Sequence, residues 1–172
     1  KIRQSVRLNP VANFEALLLQ DDENAGQNFQ DQIESELRHE TYLEMAGWYE
    51  GIGCTKETAR ILKMAAANPL ACLRLAYLSA REGDQPRSDK YLDKAVRISP
   101  DFVFPFRAED KVMLEWAMDQ SDHWVLRYYS ALLDLNLGNR EIARELFRAC
   151  GDSPDYPYFY VARTAVLGNE PG

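Results

Sequence analysis

Residues 70–100, LACLRLAYLSAREGDQPRSDKYLDKAVRISP, decide how the rest of the chain is read. Leu73, Ala76, Tyr77 and Ala80 recur at helical spacing and mark one apolar stripe. Gly83 stands just past the last periodic residue, where a left-handed backbone closes a helix cheaply. Pro86 follows near the first turn of a second helix, where its missing N–H is no loss. Tyr91, Leu92, Ala95 and Val96 give that helix an apolar face, and Arg97 meets the carbonyl end of its dipole. Ser99-Pro100 stops it. Neither helix buries its stripe alone, so the spacing predicts an αα-hairpin with one face still to cover.

Working outward, 172 residues at 46% apolar and 27% charged describe a globular chain with room for a core, not a disordered one. No apolar run approaches the roughly 20 residues a membrane span needs, and no signal-like start is present. The chain begins with Lys1 rather than Met, so a fragment or processed product is expected. Net charge is -7, and residues 20–50 hold nine acids against one base. That stretch reads as a solvated helix face. Without clustered Lys and Arg, nucleic acid is not an expected partner. Cys54, Cys72 and Cys150 lack CxxC spacing, so no disulfide framework is expected. Cys72 and Cys150 fall at interior helix positions and read as small buried hydrophobes. A reducing, cytoplasmic location fits them best.

In chain order, Asn9-Pro10 opens an apolar helix over 11–19 with Phe14, Leu17 and Leu18. Phe29, Ile33 and Leu37 stripe a polar helix over 27–38. A third helix, 40–50, carries Tyr42, Leu43, Met45, Ala46 and Tyr49 and ends at Gly51 and Gly53. Thr55 reads as the N-cap of the next, which carries Ile61, Leu62 and Ala65 up to Asn68-Pro69. After Pro100 comes DFVFPFR, 101–107, too aromatic for a solvated linker. It reads as an extended segment laid over the hairpins with its phenylalanines anchored between helices. Helices follow at 108–118, at 123–137 capped by Ser121 or Asp122, at 140–149, and at 156–167.

The turn glycines recur. Gly53 to Gly83 is 30 residues, and so is Gly138 to Gly168. Ala46, Ala76, Ala131 and Val161 stand seven residues before these glycines. Ala65, Ala95 and Cys150 stand twelve after the first three, each with a bulky Leu62, Leu92 or Phe147 three residues earlier. Small residues beside bulky ones are what close helix packing requires. The organisation is then a single helical repeat domain over 1–172: N-terminal helices 1–39, repeats 40–69 and 70–100, an aromatic segment with an inserted helix 101–121, a repeat 122–153, and a terminal helix 154–172.

On these offsets, and on the closing prolines Pro69, Pro100 and Pro154, the chain resembles the tetratricopeptide repeat family. That unit is about 34 residues, longer than the spacing found here. Tyr42, Cys72 and Arg127 stand where the family carries Trp, and alanines where it carries Gly. A closer resemblance runs over 40–166, through ETYLEMAGWYEGIG, NPLACLRLAYLSAREGD, DFVFPFR, WVLRYYSALL and CGDSPDY. It is to the repeat region of large bacterial proteins that carry the domain of unknown function numbered 5107. The resemblance implies an all-α fold, a right-handed α-solenoid of stacked αα-hairpins. It places any carbohydrate-related chemistry outside these residues.

The family's groove offsets imply a concave binding face. They fall on Leu43 and Gly47, on Leu73, Tyr77 and Arg81, on Tyr128, Leu132 and Asn136, and on Tyr158 and Ala162. Some family members grip a terminal carboxylate there with Lys and Asn; Leu73 and Tyr77 stand at the matching places, so that clamp is absent. A Tyr- and Leu-rich groove suits an apolar or helical protein segment. The same residues could instead pack on an upstream domain or on the chain's own aromatic segment. No catalytic motif is present, and His39 and His123 lie in different repeats, so neither a cofactor nor a metal is expected. Asp101 with Glu109 or Asp110 is the one acid pair a helical sugar-processing enzyme could use. An N-cap and two solvated acids is the plainer account. Three expectations stand: an interaction scaffold, such an enzyme region within a longer protein, or a piece mediating self-association.

Overall fold

The computed structural model describes residues 10–19, 29, 33, 38–152 and 154–168. Every regular element among them is a helix: α1 Pro10–Leu18, α2 Arg38–Gly51, α3 Thr55–Met64, α4 Pro69–Arg81, α5 Gln85–Arg97, α6 Asp110–Gln120, α7 Trp124–Asn136, α8 Arg140–Ala149 and α9 Pro157–Leu167. None of these is long and apolar enough to cross a membrane. Part of the 27–38 helix, including Leu37, lies outside the described residues; Phe29 is helical, and Phe29 and Ile33 are buried.

Three corners share one hydrogen-bond pattern. The residue after each glycine donates its N–H five residues back: Cys54 to Tyr49 at 2.9 Å, Asp84 to Ser79 at 2.9 Å, Asn139 to Asp134 at 2.8 Å. The glycine N–H donates three back, to Glu50, Ala80 and Leu135. This double closure needs a left-handed residue at its centre, and Gly53, Gly83 and Gly138 supply φ of 80°, 80° and 85°. Gly168 also has a positive φ, but its N–H donates four back, to Thr164, and the residues after it lie outside the described chain.

Across those corners α2 packs on α3, α4 on α5 and α7 on α8, the densest contacts among the described residues. Neighbouring pairs meet through α3 and α4, while α6 touches both α4 and α7. The N-terminus of α4 is set by Asn68, whose side chain accepts from Leu70 N at 2.8 Å and Ala71 N at 3.3 Å, with Pro69 at the first helical position. The periodicity gave α4 one apolar stripe; it is in fact buried almost all round, from Leu70 through Ala76 and again at Leu78 and Ser79. The cause is α6, which covers the face that α3 and α5 leave open.

Some local details depart from the spacing. α7 is capped by His123, whose Nδ1 accepts from Val125 N at 3.4 Å, and not by Ser121 or Asp122. Thr55 is the first helical residue of α3, with Cys54 at the cap and no capping side chain. α6 begins at Asp110 and buries Met113, Leu114 and Ala117, leaving Val112 outward. Cys72 and Cys150 are buried free thiols. Burial pushes both upward, Cys150 to about 11 despite the nearby Arg127 and Arg163.

Candidate functional site

Charges fix α6 in place. Arg74 of α4 donates from Nε at 2.9 Å and Nη2 at 2.6 Å to Asp110 Oδ1, with side-chain exposures of 5% and 2%. Burial raises the Asp110 carboxyl, and Arg74 offsets this only in part. Lys111 Nζ lies 2.7 Å from Asp134 Oδ1 of α7, an oxygen that also accepts from Asn139 Nδ2 at 2.8 Å. Just before the helix, Arg107 Nη1 donates to Glu40 Oε2 of α2 at 3.0 Å. One short helix is thus tied to α4 and α7, and its lead-in to α2.

The lead-in overturns an expectation. In 102–106 it is Val103 and Pro105 that are buried, while Phe102, Phe104 and Phe106 are 70%, 63% and 49% exposed. The phenylalanines therefore stand exposed along the segment, a row in sequence, instead of anchoring between helices. Two features set this phase. Val103 N–H donates to Pro100 O at 3.2 Å, which turns the chain inward at Val103. Phe102 takes a left-handed φ of 57°, a conformation that costs a bulky residue about 1–2 kcal/mol. Arg107 then lays its guanidinium 4.3 Å from the Phe106 ring centre. Among the described residues Phe102 also walls a cavity of about 520 Å³ shared with His39, Tyr42, Asn68 and Asp101.

The groove residues expected from the sequence scatter in environment. Leu43, Leu73 and Tyr128 are buried, so none of them faces an open groove among the described residues. Gly47 is half-buried, and a Cβ there would meet Arg74 Nη1 at 3.4 Å. Tyr77 is half-buried against Trp116 of α6, ring centres 5.5 Å apart, and Arg81 lies 5.7 Å from the Tyr77 ring centre and 3.9 Å from Glu50. Leu132 and Ala162 are half-buried. Asn136 is exposed and donates to Phe106 O at 3.3 Å, which ties the aromatic row to α7. Tyr158 is 60% exposed on α9. The structure therefore brings together Tyr77 with Arg81, and Asn136 with the row, and places Leu43, Leu73 and Tyr128 in the buried core, with Leu132 and Ala162 packed against it.

Beside the row lies a dense aromatic cluster of Trp124, Tyr128, Phe147, Tyr156 and Phe159. Next to it, Tyr129 Oη is a buried side-chain polar atom with no hydrogen-bond partner among the described residues. An unpaired buried hydroxyl forfeits its hydration for nothing. Tyr129→Phe is accordingly expected to stabilise the chain by about 1 kcal/mol, read by urea denaturation; a loss would place a partner on that oxygen.

Of the acid pair considered for catalysis, Asp110 is committed to Arg74, and Asp101 accepts from Ser99 Oγ at 2.7 Å. Among the described residues no three His, Cys, Asp or Glu side chains gather as a metal-binding group. Comparison with known protein families, with curated proteins and with solved structures finds no match.

Proposed function

We propose that this region is a protein-interaction scaffold of tetratricopeptide-like helix pairs, without catalysis of its own, and that the row Phe102, Phe104 and Phe106 is its contact surface. The observation that carries the reading is the row itself: three large apolar rings exposed at every second residue of a segment pinned on both sides. Single exposed apolar residues are ordinary, but a contiguous set marks an interaction surface. The exposed acids Asp101 and Glu109 flank them, so the fitting occupant is a protein segment with an apolar face and basic edges, from a partner or from an upstream domain of the same chain. The shared corner pattern and the contact of α3 with α4 support stacked helix pairs, with α6 carrying the stack across the longer gap; the right-handed superhelix is what the resemblance implies.

A photo-crosslinking residue at position 104, followed by titration of the purified captured partner, tests this. Phe104→Ser is expected to weaken that binding at least tenfold while shifting stability by less than about 0.5 kcal/mol, since the ring packs on little. Binding indifferent to Phe104→Ser removes the row as the contact. Crosslinking only to a second copy, with a dimer that Phe104→Ser dissociates, reassigns the row to self-association.

A further inference from the structure

We infer that the cavity between α3, α4 and α5 is a second binding site, one that takes an acidic peptide segment carrying two carboxylates astride an apolar side chain. The cavity measures about 380 Å³. That lies within the roughly 300–1,000 Å³ of ordinary ligand sites. Its floor is apolar: Leu75 and Leu78 of α4, both buried. Its rim is basic: Lys56 and Lys63 of α3 and Arg87 of α5, against the single acid Glu82.

The cations differ in what they already do. Arg87 is spoken for. Its Nε donates to Ser79 Oγ at 2.9 Å, its Nη2 donates to Glu82, and its Nε lies 3.4 Å from Asp84. Ser79 is itself 2% exposed and donates to Leu75 O at 2.7 Å, so this wall is fixed from below. Lys56 and Lys63 are exposed and make no ion pair or side-chain hydrogen bond with the described residues. Two unneutralised ammonium groups over an apolar floor are out of place in a chain of net charge -7. They belong to a local excess: α3 has three bases and one acid, and α5 four bases and two acids.

Geometry selects the ligand. Lys56 and Lys63 are seven residues apart on one helix, about 10 Å along its axis. An extended peptide covers that distance in about three residues. Side chains alternate between the two faces of an extended strand, so the acids that reach both lysines stand four apart, about 13 Å. The flexible lysine stems take up the difference, and the middle side chain of the same face lies over Leu75 and Leu78. A single carboxylate on a small molecule satisfies one lysine and leaves the other. Exposed ion pairs are individually weak, so the apolar contact has to supply the anchor. This site is independent of the aromatic row.

The test is fluorescence anisotropy of the chain with a labelled peptide Ser-Glu-Ala-Leu-Ala-Glu-Ser. Saturable binding is expected, weakened at least tenfold by Lys56→Glu with Lys63→Glu and by replacing both peptide acids with Gln. Arg60→Glu, exposed on the same helix but off the cavity wall, is expected to change it less than twofold, as is Phe104→Ser. The lysines carry no packing, so an unchanged thermal melt accompanies the loss. Absence of saturable binding overturns the inference. Equal weakening by Arg60→Glu reduces it to general charge attraction and also overturns it. Saturable binding of octanoate in place of the peptide overturns the peptide assignment.

Discussion

Arg74→Met is expected to lower stability by about 3–5 kcal/mol at neutral pH, because it strands a buried carboxylate. Asp110 has 2% of its side chain exposed, and its carboxyl is pushed up by burial and held down chiefly by Arg74. Removing the guanidinium leaves the more distant Arg107 to compensate, opposed by Glu109. The pH dependence has a definite sign. A carboxyl whose folded pKa lies above its unfolded value near 4 keeps its proton in the folded state over a window where the unfolded chain has lost it. Stability then rises as pH falls through that window. Loss of Arg74 widens the window upward, so the deficit of the variant against the parent should shrink between pH 7 and pH 5. Urea denaturation at both values reads it. Arg74→Met combined with Asp110→Leu should recover most of the loss, since an apolar pair has no charge to desolvate. A deficit that stays the same at pH 5 would mean that lost packing, not the stranded charge, sets the penalty.

That pair also marks where local signals end. Gly53, Gly83 and Gly138 were readable because a left-handed corner admits little else, and the stripes between them because burial imposes a period. Arg74 and Asp110 stand 36 residues apart and share no periodicity, so the sequence assigned Asp110 to solvent. With the pair unseen, α6 looked like an insertion beside the stack, and the face of α4 looked like an open groove. The family's groove offsets assume that bare face. α6 covers it, which is why Leu73 is fully buried and Tyr77 rests on Trp116. The aromatic segment failed for a different reason. Its alternation of Phe with Val103 and Pro105 is visible in DFVFPFR, but hydrophobicity alone does not give the phase. Pro100 O sets the phase by taking the Val103 N–H, and the smaller side chains go inside. The basic cavity was hidden by summing charge along the chain. Lys56 and Lys63 share a helical face, and Arg87 joins them only once α5 folds back.

The buried aromatic cluster around Tyr128 gives the second large effect. Tyr128→Ala is expected to destabilise the chain by about 3–5 kcal/mol, the range for deleting a buried aromatic side chain. The Tyr128 ring lies 5.9 Å from Trp124, 6.2 Å from Phe147, 5.9 Å from Tyr156 and 5.8 Å from Phe159, in tilted and edge-on arrangements that add to simple burial. Those partners belong to α7, α8, α9 and the lead-in to α9, so the ring ties α9, which touches α8 lightly, to the tightly packed pair of α7 and α8. Burial also holds its phenol protonated well above the usual tyrosine range. The loss should therefore be regional: amide exchange in α8 and α9 is expected to speed up before exchange in α4 does. Tyr158→Ala makes the contrast, since that ring is 60% exposed and should shift stability by less than about 0.5 kcal/mol. The comparison decides how binding data are to be interpreted. A partner lost with Tyr128→Ala reports a loosened C-terminal end, whereas a partner lost with Tyr158→Ala at unchanged stability reports a surface. A Tyr128→Ala chain within about 1 kcal/mol of the parent would remove the ring from the core and return it to the groove.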